Sequence, residues 1–248
     1  MPSTTVVSVS FNTKKLTSLL LWSLHRILEP MDLSIVMVDN GSTDGTVDLL
    51  RRAEEAGLCH VLPNPVNLGH GPALNLAVGQ VPVTADWVWV LDSDCVVTRP
   101  DALTAPITLH PDAAIIGEAQ WDPWRARFRP ELFSLLMSRE AHSHEAVAPF
   151  TDDGDPAWDM LASPEIKGLR IESFPFTTNG YLVHLGRASL AAVIEIDDRS
   201  NPLYDWATAH HEPHFGAVEG ARVRHASIVQ QFEREVGPHL DLAGFLRM

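Results

Sequence analysis

The strongest constraint on the fold is a regular alternation of strand-like and helix-like segments in the first half of the chain. Short runs rich in β-branched and other apolar residues predict five strands, at residues 4–11, 33–39, 58–64, 86–92 and 112–119. Between the first four strands, leucines at helical spacing and helix-start and helix-stop residues predict helices at residues 14–28, 43–57 and 71–81. This alternation predicts an α/β fold with a mostly parallel central sheet flanked by helices.

The second half of the chain is less regular. Residues 131–145 have a helical pattern, and residues 171–184 contain strand-like pieces around Asn179 and Gly180. The acidic segment at residues 146–170 is typical of a loop or a lid. We therefore predict an α/β half over residues 1–118 and a less regular half over residues 119–248, both within one compact domain.

Charge and composition exclude several classes of protein. The 248 residues include 32 acidic and 18 basic residues, a net charge of −14, which argues against binding to nucleic acid. Cys59 and Cys95 give no disulfide framework, which favours a reducing, cytoplasmic location. The N-terminus has no basic region before an apolar run, so no secretory signal is expected. The apolar runs are shorter than the roughly 20 residues of a membrane span, although peripheral contact with a membrane is compatible with the sequence.

Polar residues follow each of the first four predicted strands. In an open parallel sheet the loops after the strands meet at one edge, where ligands bind. The loops at residues 10–13, 39–46, 64–71 and 92–94 are all rich in Asn, Asp, Ser, Thr and Gly. These residue types are also common turn formers. Their convergence at one edge favours a binding site there.

The segment WVWVLDSDCVV, residues 87–97, places Asp92 and Asp94 directly after an apolar strand. In an extended segment, side chains two residues apart point the same way. Two facing carboxylates repel each other and require a cation or strong hydrogen-bond donors. Oxygen ligands suit Mg²⁺ or Mn²⁺, ions that are often shared with phosphate groups.

Two common nucleotide-binding motifs are absent. The loop after the first strand contains no glycine, and GHGPAL at residues 69–74 has Leu74 where a dinucleotide fingerprint needs its third glycine. No phosphate-binding P-loop motif occurs. The sequence therefore argues against an NAD-dependent enzyme and a P-loop nucleotide hydrolase.

The stretches VVSVSFNT, VMVDNGSTDGT, NPVNLGHGPALNLAV and WVWVLDSDCVV, in this order, resemble the family 2 glycosyltransferases of the GT-A, Rossmann-like fold. The resemblance implies that residues 1–118 bind a nucleotide-diphosphate sugar and that residues 119–248 bind the acceptor and complete the catalytic site. It implies a metal-dependent, inverting transfer of a sugar to an acceptor hydroxyl or amine, with Mn²⁺ or Mg²⁺ as cofactor. The acceptor could be a small molecule, a lipid-linked molecule or a glycan.

The resemblance also implies roles for individual residues. Asp39 would hold the base or the ribose, Asp92 the ribose or the metal, and Asp94 the metal. The residues implied in nucleotide-sugar binding are Ser10, Phe11, Asn12, Asp39, Asn67, Gly69, Gly71, Asp92 and Ser93. In the second half, Asp205 would be the general base and His225 would reach the metal. Family members often carry an acidic pair at the base position, whereas here Tyr204 precedes Asp205.

Alternatives remain open from the residues alone. Asp155 and Asp159 are further candidates for the base. LDSDCVVT also resembles the nucleophile motif of haloacid-dehalogenase-type phosphatases, with Asp92 as the nucleophile. His210 and His214 have the spacing of helical zinc ligands, although Pro213 interrupts the helix. The tryptophans and arginines of residues 121–130 could bind sugar and phosphate or pack as a surface loop. A sugar-nucleotide-binding protein without catalysis is the other alternative function, beside the phosphatase.

Overall fold

The structure is a computed structural model. It describes residues 2–28, 33–122, 127–143, 150–151, 157, 160–161 and 168–184. Within these residues the chain forms strands and helices that alternate through the first half, as the sequence predicts. The fold is mixed α/β with a central, mostly parallel sheet, which confirms the predicted fold class.

The strands are β1 (Thr4–Ser10), β2 (Leu33–Asn40), β3 (His60–Asn64), β4 (Trp87–Leu91), β5 (Cys95–Val97), β6 (Ile115–Asp122), β7 (Arg127–Ser138), β8 (Ile171–Ser173) and β9 (Leu182–His184). The helices are α1 (Lys14–Arg26), α2 (Thr46–Glu55), α3 (His70–Val78), α4 (Thr104–Leu109) and α5 (Arg139–His142). The first four strands, β6 and the first three helices correspond to the predicted elements. The short elements β5 and α4 were not predicted, and α5 falls within the helix predicted over residues 131–145.

Seven strands form the central sheet in the order β3-β2-β1-β4-β7-β6-β8. Strands β3, β2, β1 and β4 are mutually parallel, and β7 alone runs antiparallel to its neighbours β4 and β6. Strands β7 and β8 lie beyond residue 118, so the sheet takes strands from both predicted halves. A separate antiparallel pair joins β5 to β9.

Alternate residues of each strand face two different core clusters. Val6 packs in one cluster with Leu20 of α1 and Leu50 of α2, whereas Val7 packs in the other with Leu74 of α3. This follows from the two-residue period of a strand. Helices α1 and α2 therefore cover one face of the sheet and α3 covers the other. Packing on both faces supports the strands and so fixes the points at which the loops at their carboxyl ends begin.

The prediction of a helix over residues 131–145 is wrong. Residues 127–138 form β7, and only residues 139–142 are helical. Residues 132–137 are all buried, since β7 lies inside the sheet and both of its faces are covered. Such a strand has a continuous apolar run that periodicity cannot distinguish from a buried helix. The polar Ser134 is accommodated because its Oγ accepts a hydrogen bond from Trp89 Nε1 at 3.0 Å.

None of the described helices combines the length and the apolar composition that a bilayer crossing requires. Cys59 and Cys95 are both free, as predicted.

Candidate active site

The carboxyl ends of β1, β2 and β4 lie side by side at one edge of the sheet. Strand β1 pairs in parallel with β2, with Ser10 opposite Asp39, and it pairs on its other side with β4. The loops that follow these strands therefore begin next to one another. Ser10 and Phe11 are both buried, and the Ser10 hydroxyl donates to the Val38 carbonyl at 3.3 Å.

The loops after β1 and β2 are joined by hydrogen bonds. The Asn12 amide donates to Ser42 Oγ at 3.0 Å, and Asn12 Oδ1 accepts from the Thr43 amide at 2.7 Å. Asp44 Oδ2 accepts from the Lys14 amide at the start of α1, at 3.0 Å. Asn12 has a φ of 51°, a left-handed conformation that asparagine tolerates better than most residues. These bonds fix Asn12 against the β2 loop.

Asp39 is a buried carboxylate at this edge, with 2% of its surface exposed. Its Oδ2 accepts from the Ser42 amide at 3.2 Å, whereas its Oδ1 has no hydrogen-bond partner among the described residues. Burial raises the pKa of Asp39, and hydrogen bonds from Ser42 offset this only in part. An unsatisfied buried acceptor costs about 1–3 kcal/mol. Such an oxygen is suited to a donor supplied by a ligand.

Asn40, which the sequence analysis did not single out, organises the loop after β3. Its Nδ2 donates to Asn67 Oδ1 at 2.8 Å, and the same oxygen accepts from the Gly69 amide at 2.8 Å. Asn40 Oδ1 accepts from Asn64 Nδ2 at 3.0 Å and from the Leu68 amide at 3.1 Å. The Asn67 side-chain oxygen therefore shapes the loop. The sequence signal for this role was that the strands β2 and β3 both end at an asparagine, Asn40 and Asn64.

Two glycines allow close approaches of the backbone around this loop. Gly41 has a φ of 84°, and a Cβ there would lie 2.6 Å from the Val66 carbonyl carbon. A Cβ on Gly71 would collide with the Thr151 carbonyl oxygen. The loop after β3 and the start of α3 thus contact neighbouring backbone too closely for a side chain.

The D-x-D segment forms a turn that leads from β4 into β5. The Asp92 amide donates to the Phe133 carbonyl on β7 at 3.0 Å, and the Asp92 carbonyl accepts from the Cys95 amide at 3.0 Å. The prediction of an extended segment is therefore wrong in its local geometry. Asp94 is buried, with 4% of its surface exposed. The turn still brings both carboxylates toward one nitrogen atom.

Ser93 lies between the two aspartates and is itself buried. Its Oγ is 3.2 Å from Thr13 Oγ1, which is also 3.2 Å from Thr17 Oγ1. The Ser93 hydroxyl thus connects the turn to the beginning of α1. Ser93 therefore supports the turn. Its predicted role in nucleotide-sugar binding stays a prediction.

Two histidines that the sequence analysis did not select face the aspartates. His184, at the end of β9, has its Nε2 3.6 Å from Asp92 Oδ2 and 3.4 Å from Asp94 Oδ1. His70, at the start of α3, has its Nε2 3.7 Å from Asp92 Oδ1. The His184 ring stacks on Phe133, with centroids 4.2 Å apart and planes at 12°. A histidine ending a short strand after a turn is a weak sequence signal, since only the fold shows what it faces.

The charged groups of this cluster shift the pKa values of Asp92 and His184. Burial opposes the charge on Asp92, but His184 and His70 outweigh it and lower the pKa of Asp92. Burial also opposes the charge on His184, but Asp92 and Asp94 outweigh it and raise its pKa to about 10. Without a metal, the His184 imidazolium therefore balances the acidic pair.

The donor atoms fit a divalent cation. Asp92 Oδ1 and His184 Nε2 are buried and have no hydrogen-bond partner among the described residues. One ligand atom each from Asp94, Cys95 and His184 lies within 4.8 Å of the others. The Cys95 thiol donates to the Phe133 carbonyl at 3.4 Å, and burial raises its pKa well above the usual range, so it stays protonated. Carboxylate oxygen and imidazole nitrogen remain, a set that accepts Mn²⁺ or Mg²⁺.

Several predicted residues lie outside the described part of the chain. They are Asp155, Asp159, Asp205, His210, His214 and His225. Residues 121 and 128 pair between β6 and β7, but the side chains of residues 121–128 are not described. The Arg129 guanidinium lies 3.6 Å from Glu131 Oε1. The predicted roles of all these residues stay predictions.

A model of glycosyl transferase family 2 matches residues 5–123, which include all three loops of the site and the D-x-D turn. A search of curated proteins found no match. Among solved structures, residues 1–349 of S. aureus TarS superpose with a TM-score of 0.56 at 19% identity, covering 78% of this chain and 64% of that one. The chain thus spans less than two thirds of that relative.

Two further structures are similar and contain ligands. The mannosyltransferase PcManGT from Pyrobaculum calidifontis, in complex with GDP-Man and Mn²⁺, has a TM-score of 0.56 at 20% identity, covering 99% of this chain and 79% of that one. Glucosyl-3-phosphoglycerate synthase from Mycobacterium tuberculosis, with Mn²⁺, UDP and glucosyl-3-phosphoglycerate, has a TM-score of 0.51 at 18% identity, covering 78% and 79%. At these identities the likeness establishes the fold. The matched segment, residues 5–123, is just under half of the chain, and it and the fold resemble the family 2-like glycosyltransferases of the GT-A fold.

Proposed function

We propose that this chain is a metal-dependent, inverting glycosyltransferase that moves a sugar from a nucleotide diphosphate to an acceptor hydroxyl or amine. The observation that carries the proposal is the meeting of Asp92, Asp94 and His184 at the carboxyl edge of the parallel strands, the edge where the buried Asp39 also lies. This edge is where ligands bind in open α/β sheets. The match of residues 5–123 to family 2 supports the reaction class.

The donor would lie along this edge. Ser10, Phe11, Asn12 and Asp39 would border the base and ribose, and the unsatisfied Asp39 Oδ1 supports that assignment. The loop that holds Asn67, Gly69 and Gly71 would pass beside the nucleotide. The similar structures with GDP-Man and with UDP support a nucleoside diphosphate as the leaving group.

Asp94 would hold the metal, and Asp92 would hold the metal or the ribose. Bound Mn²⁺ or Mg²⁺ would neutralise the charge that the departing diphosphate gains. The buried position of Asp94 and the turn that fixes Asp92 preorganise both carboxylates, so little reorganisation is needed on binding. The Mn²⁺ in the two similar structures supports this cofactor class.

Transfer breaks the bond between the anomeric carbon and the diphosphate oxygen, which leaves with the electron pair. The acceptor oxygen or nitrogen forms the new bond from the opposite side, which inverts the anomeric centre. Its proton passes to a carboxylate, for which Asp205 is the candidate and Asp155 and Asp159 are alternatives. A positioned base contributes about 10²–10⁴-fold to the rate.

The first test is thermal unfolding with UDP, GDP, ADP, CDP and dTDP, each with and without Mn²⁺. A ligand at about 100 times its Kd adds roughly 2.7 kcal/mol to the free energy of unfolding. The proposal expects one nucleotide to stabilise the chain, and more strongly with Mn²⁺. The absence of a shift with every nucleotide contradicts it.

Transfer itself is tested with the sugar donor of the stabilising nucleotide. Asp205→Asn should lower transfer by about 10²-fold or more and leave nucleotide binding unchanged. Transfer near the parent rate would redirect the assignment to Asp155 or Asp159. Nucleotide binding without any donor turnover would favour the non-catalytic alternative. Hydrolysis of a phosphomonoester that disappears in Asp92→Asn would favour the phosphatase.

The remaining expectations belong to the same proposal. The donor would bind to residues 1–118, and residues 119–248 would bind the acceptor, which is a small molecule, a lipid-linked molecule or a glycan. The free cysteines support a reducing, cytoplasmic location. Peripheral contact with a membrane would accompany a lipid-linked acceptor.

A further inference from the structure

His184 presents a nitrogen atom to the two aspartates of the D-x-D turn. We propose that His184 Nε2 is a direct ligand of the divalent cation, beside Asp94, and that it determines which cations the site prefers. This inference rests on the proposed function, since it concerns the metal of the same site. His225, the histidine predicted from the family resemblance, is not needed for it.

The backbone places His184 beside the turn. In the β5–β9 pair, His184 lies opposite Cys95, the residue that directly follows Asp94. The imidazole is thus one strand away from the carboxylate. The approach of His184 to the acidic pair is a result of strand register, and it does not depend on a long loop.

Phe133 fixes both sides of the arrangement. Its ring stacks on the His184 imidazole at 4.2 Å, nearly parallel, and limits the rotation of that ring. Its carbonyl accepts from the Asp92 amide at 3.0 Å and from Cys95 Sγ at 3.4 Å. One residue of β7 therefore orients the imidazole and anchors the turn that carries the carboxylates. Metal sites commonly have such supporting contacts around their ligands.

The distances suit ligands in adjacent positions around one ion. In an octahedral site with bonds of about 2.1 Å, neighbouring ligand atoms lie about 3 Å apart. His184 Nε2 is 3.4 Å from Asp94 Oδ1 and 3.6 Å from Asp92 Oδ2. These separations exceed the expected spacing only slightly. His184 Nε2 is also buried without a hydrogen-bond partner among the described residues, so this nitrogen can bind a metal ion that displaces its proton.

A nitrogen ligand has a consequence for metal choice. Carboxylate and water ligands suit Mg²⁺ and Mn²⁺, whereas imidazole increases the affinity for later ions such as Co²⁺ and Ni²⁺. A site with His184 as a ligand should therefore prefer Co²⁺ to Mg²⁺ more strongly than a site with oxygen ligands alone. His184→Gln, which replaces the nitrogen ligand with an amide, should reduce this preference, measured as the ratio of the two ions' dissociation constants.

The test is pulsed EPR of Mn²⁺ bound to the whole chain with UDP and, in parallel, with GDP. The parent protein should show a ¹⁴N coupling from a directly bound imidazole. His184→Gln should lose it or show it at reduced depth, whereas His225→Gln and the remote His60→Gln should keep the parent depth. His184→Asn is made in parallel in case the glutamine variant does not fold, and thermal unfolding checks both.

The outcomes separate this inference from the proposed function. If the parent binds no Mn²⁺ with either nucleotide, the metal dependence of the proposed function fails, and the inference with it. If the parent binds Mn²⁺ but shows no ¹⁴N coupling, or if folded His184→Gln or His184→Asn keeps the parent coupling, only the inference is overturned. His184 would then be an ion-pair partner of the aspartates. Loss of the coupling in both His184 variants, with Mn²⁺ still bound, supports the inference.

Discussion

Asn75 and Phe150 exchange two hydrogen bonds across 75 residues of sequence. Asn75 Nδ2 donates to the Phe150 carbonyl at 2.8 Å, and the Phe150 amide donates to Asn75 Oδ1 at 2.9 Å. Gly71, one helical turn earlier on α3, contacts the backbone of Thr151. Residues 150–151 are thereby docked on the helix that follows the candidate donor loop. Two predictions concern this contact.

We expect Asn75→Asp to destabilise the chain by about 1–3 kcal/mol. The carboxylate still accepts from the Phe150 amide, but it loses the donor and faces the Phe150 carbonyl with a negative charge. Urea unfolding measures the change. Gln80→Glu makes the same amide-to-acid change at an exposed position and should stay within about 0.5 kcal/mol. Equal effects of the two variants would show that the paired bonds contribute nothing specific.

Gly71→Ala tests the steric side of the same contact. A Cβ there meets the Thr151 carbonyl, and backbone cannot move aside without breaking the Asn75 pair. We expect a loss of about 1–3 kcal/mol, the usual effect of overpacking. Gly79 has an ordinary helical φ of −61°, and a Cβ there would come no closer than 3.3 Å to another atom. Gly79→Ala is therefore the matched control and should change stability little. A similar small effect at both glycines would contradict the close packing of residue 151.

The Asp39 carboxylate should lower the free energy of unfolding and strengthen nucleotide binding. Burial raises the pKa of Asp39 in the folded state above the usual 3.8 of the unfolded chain. At a pH between the unfolded-state and the folded-state pKa, the folded chain therefore holds a proton that the unfolded chain has lost. Stability therefore falls as pH rises through that window, and the penalty persists at neutral pH. Asp39→Asn removes it. We expect this variant to be about 1 kcal/mol more stable at pH 7 and to bind the nucleotide more weakly.

The check on Asp39 is urea unfolding from pH 4 to pH 8, with calorimetry of nucleotide binding at pH 7. The stability gain should grow as pH rises. Asp48 is exposed in the first turn of α2, where a carboxylate is favourable, so Asp48→Asn should be slightly destabilising and leave binding unchanged. A destabilised Asp39→Asn at pH 7 would show that the carboxylate is stabilising in place.

The sequence predicts the part of the site that local pattern controls. The strands β1, β2 and β4 and their polar loops follow from alternation and turn chemistry, and parallel strands place Asp39 and Asp92 at one edge. His184 could not be found in this way, because its approach to Asp94 depends on the β5–β9 register, and β5 is only three residues long. Strand β7 was missed because an apolar strand buried on both faces has no two-residue period. Because β7 was not predicted, the position of Phe133 beside His184 was not predicted either.

Asp94→Asn should make nucleotide binding insensitive to Mn²⁺. Supporting contacts of metal ligands are already worth 10–100-fold in metal affinity, so we expect loss of the ligand itself to weaken Mn²⁺-dependent nucleotide binding at least tenfold. Affinity in the presence of a chelator should be unchanged, because the base and ribose contacts proposed for Asp39 remain. Calorimetry with and without Mn²⁺ measures both values. Because the chain is strongly acidic, the loss of any carboxylate reduces its repulsion of an anionic nucleotide. Asp112→Asn controls for this general charge effect, since the Asp112 side chain is 80% exposed. If Mn²⁺ still improves nucleotide binding to Asp94→Asn as much as to the parent, Asp94 does not hold the metal.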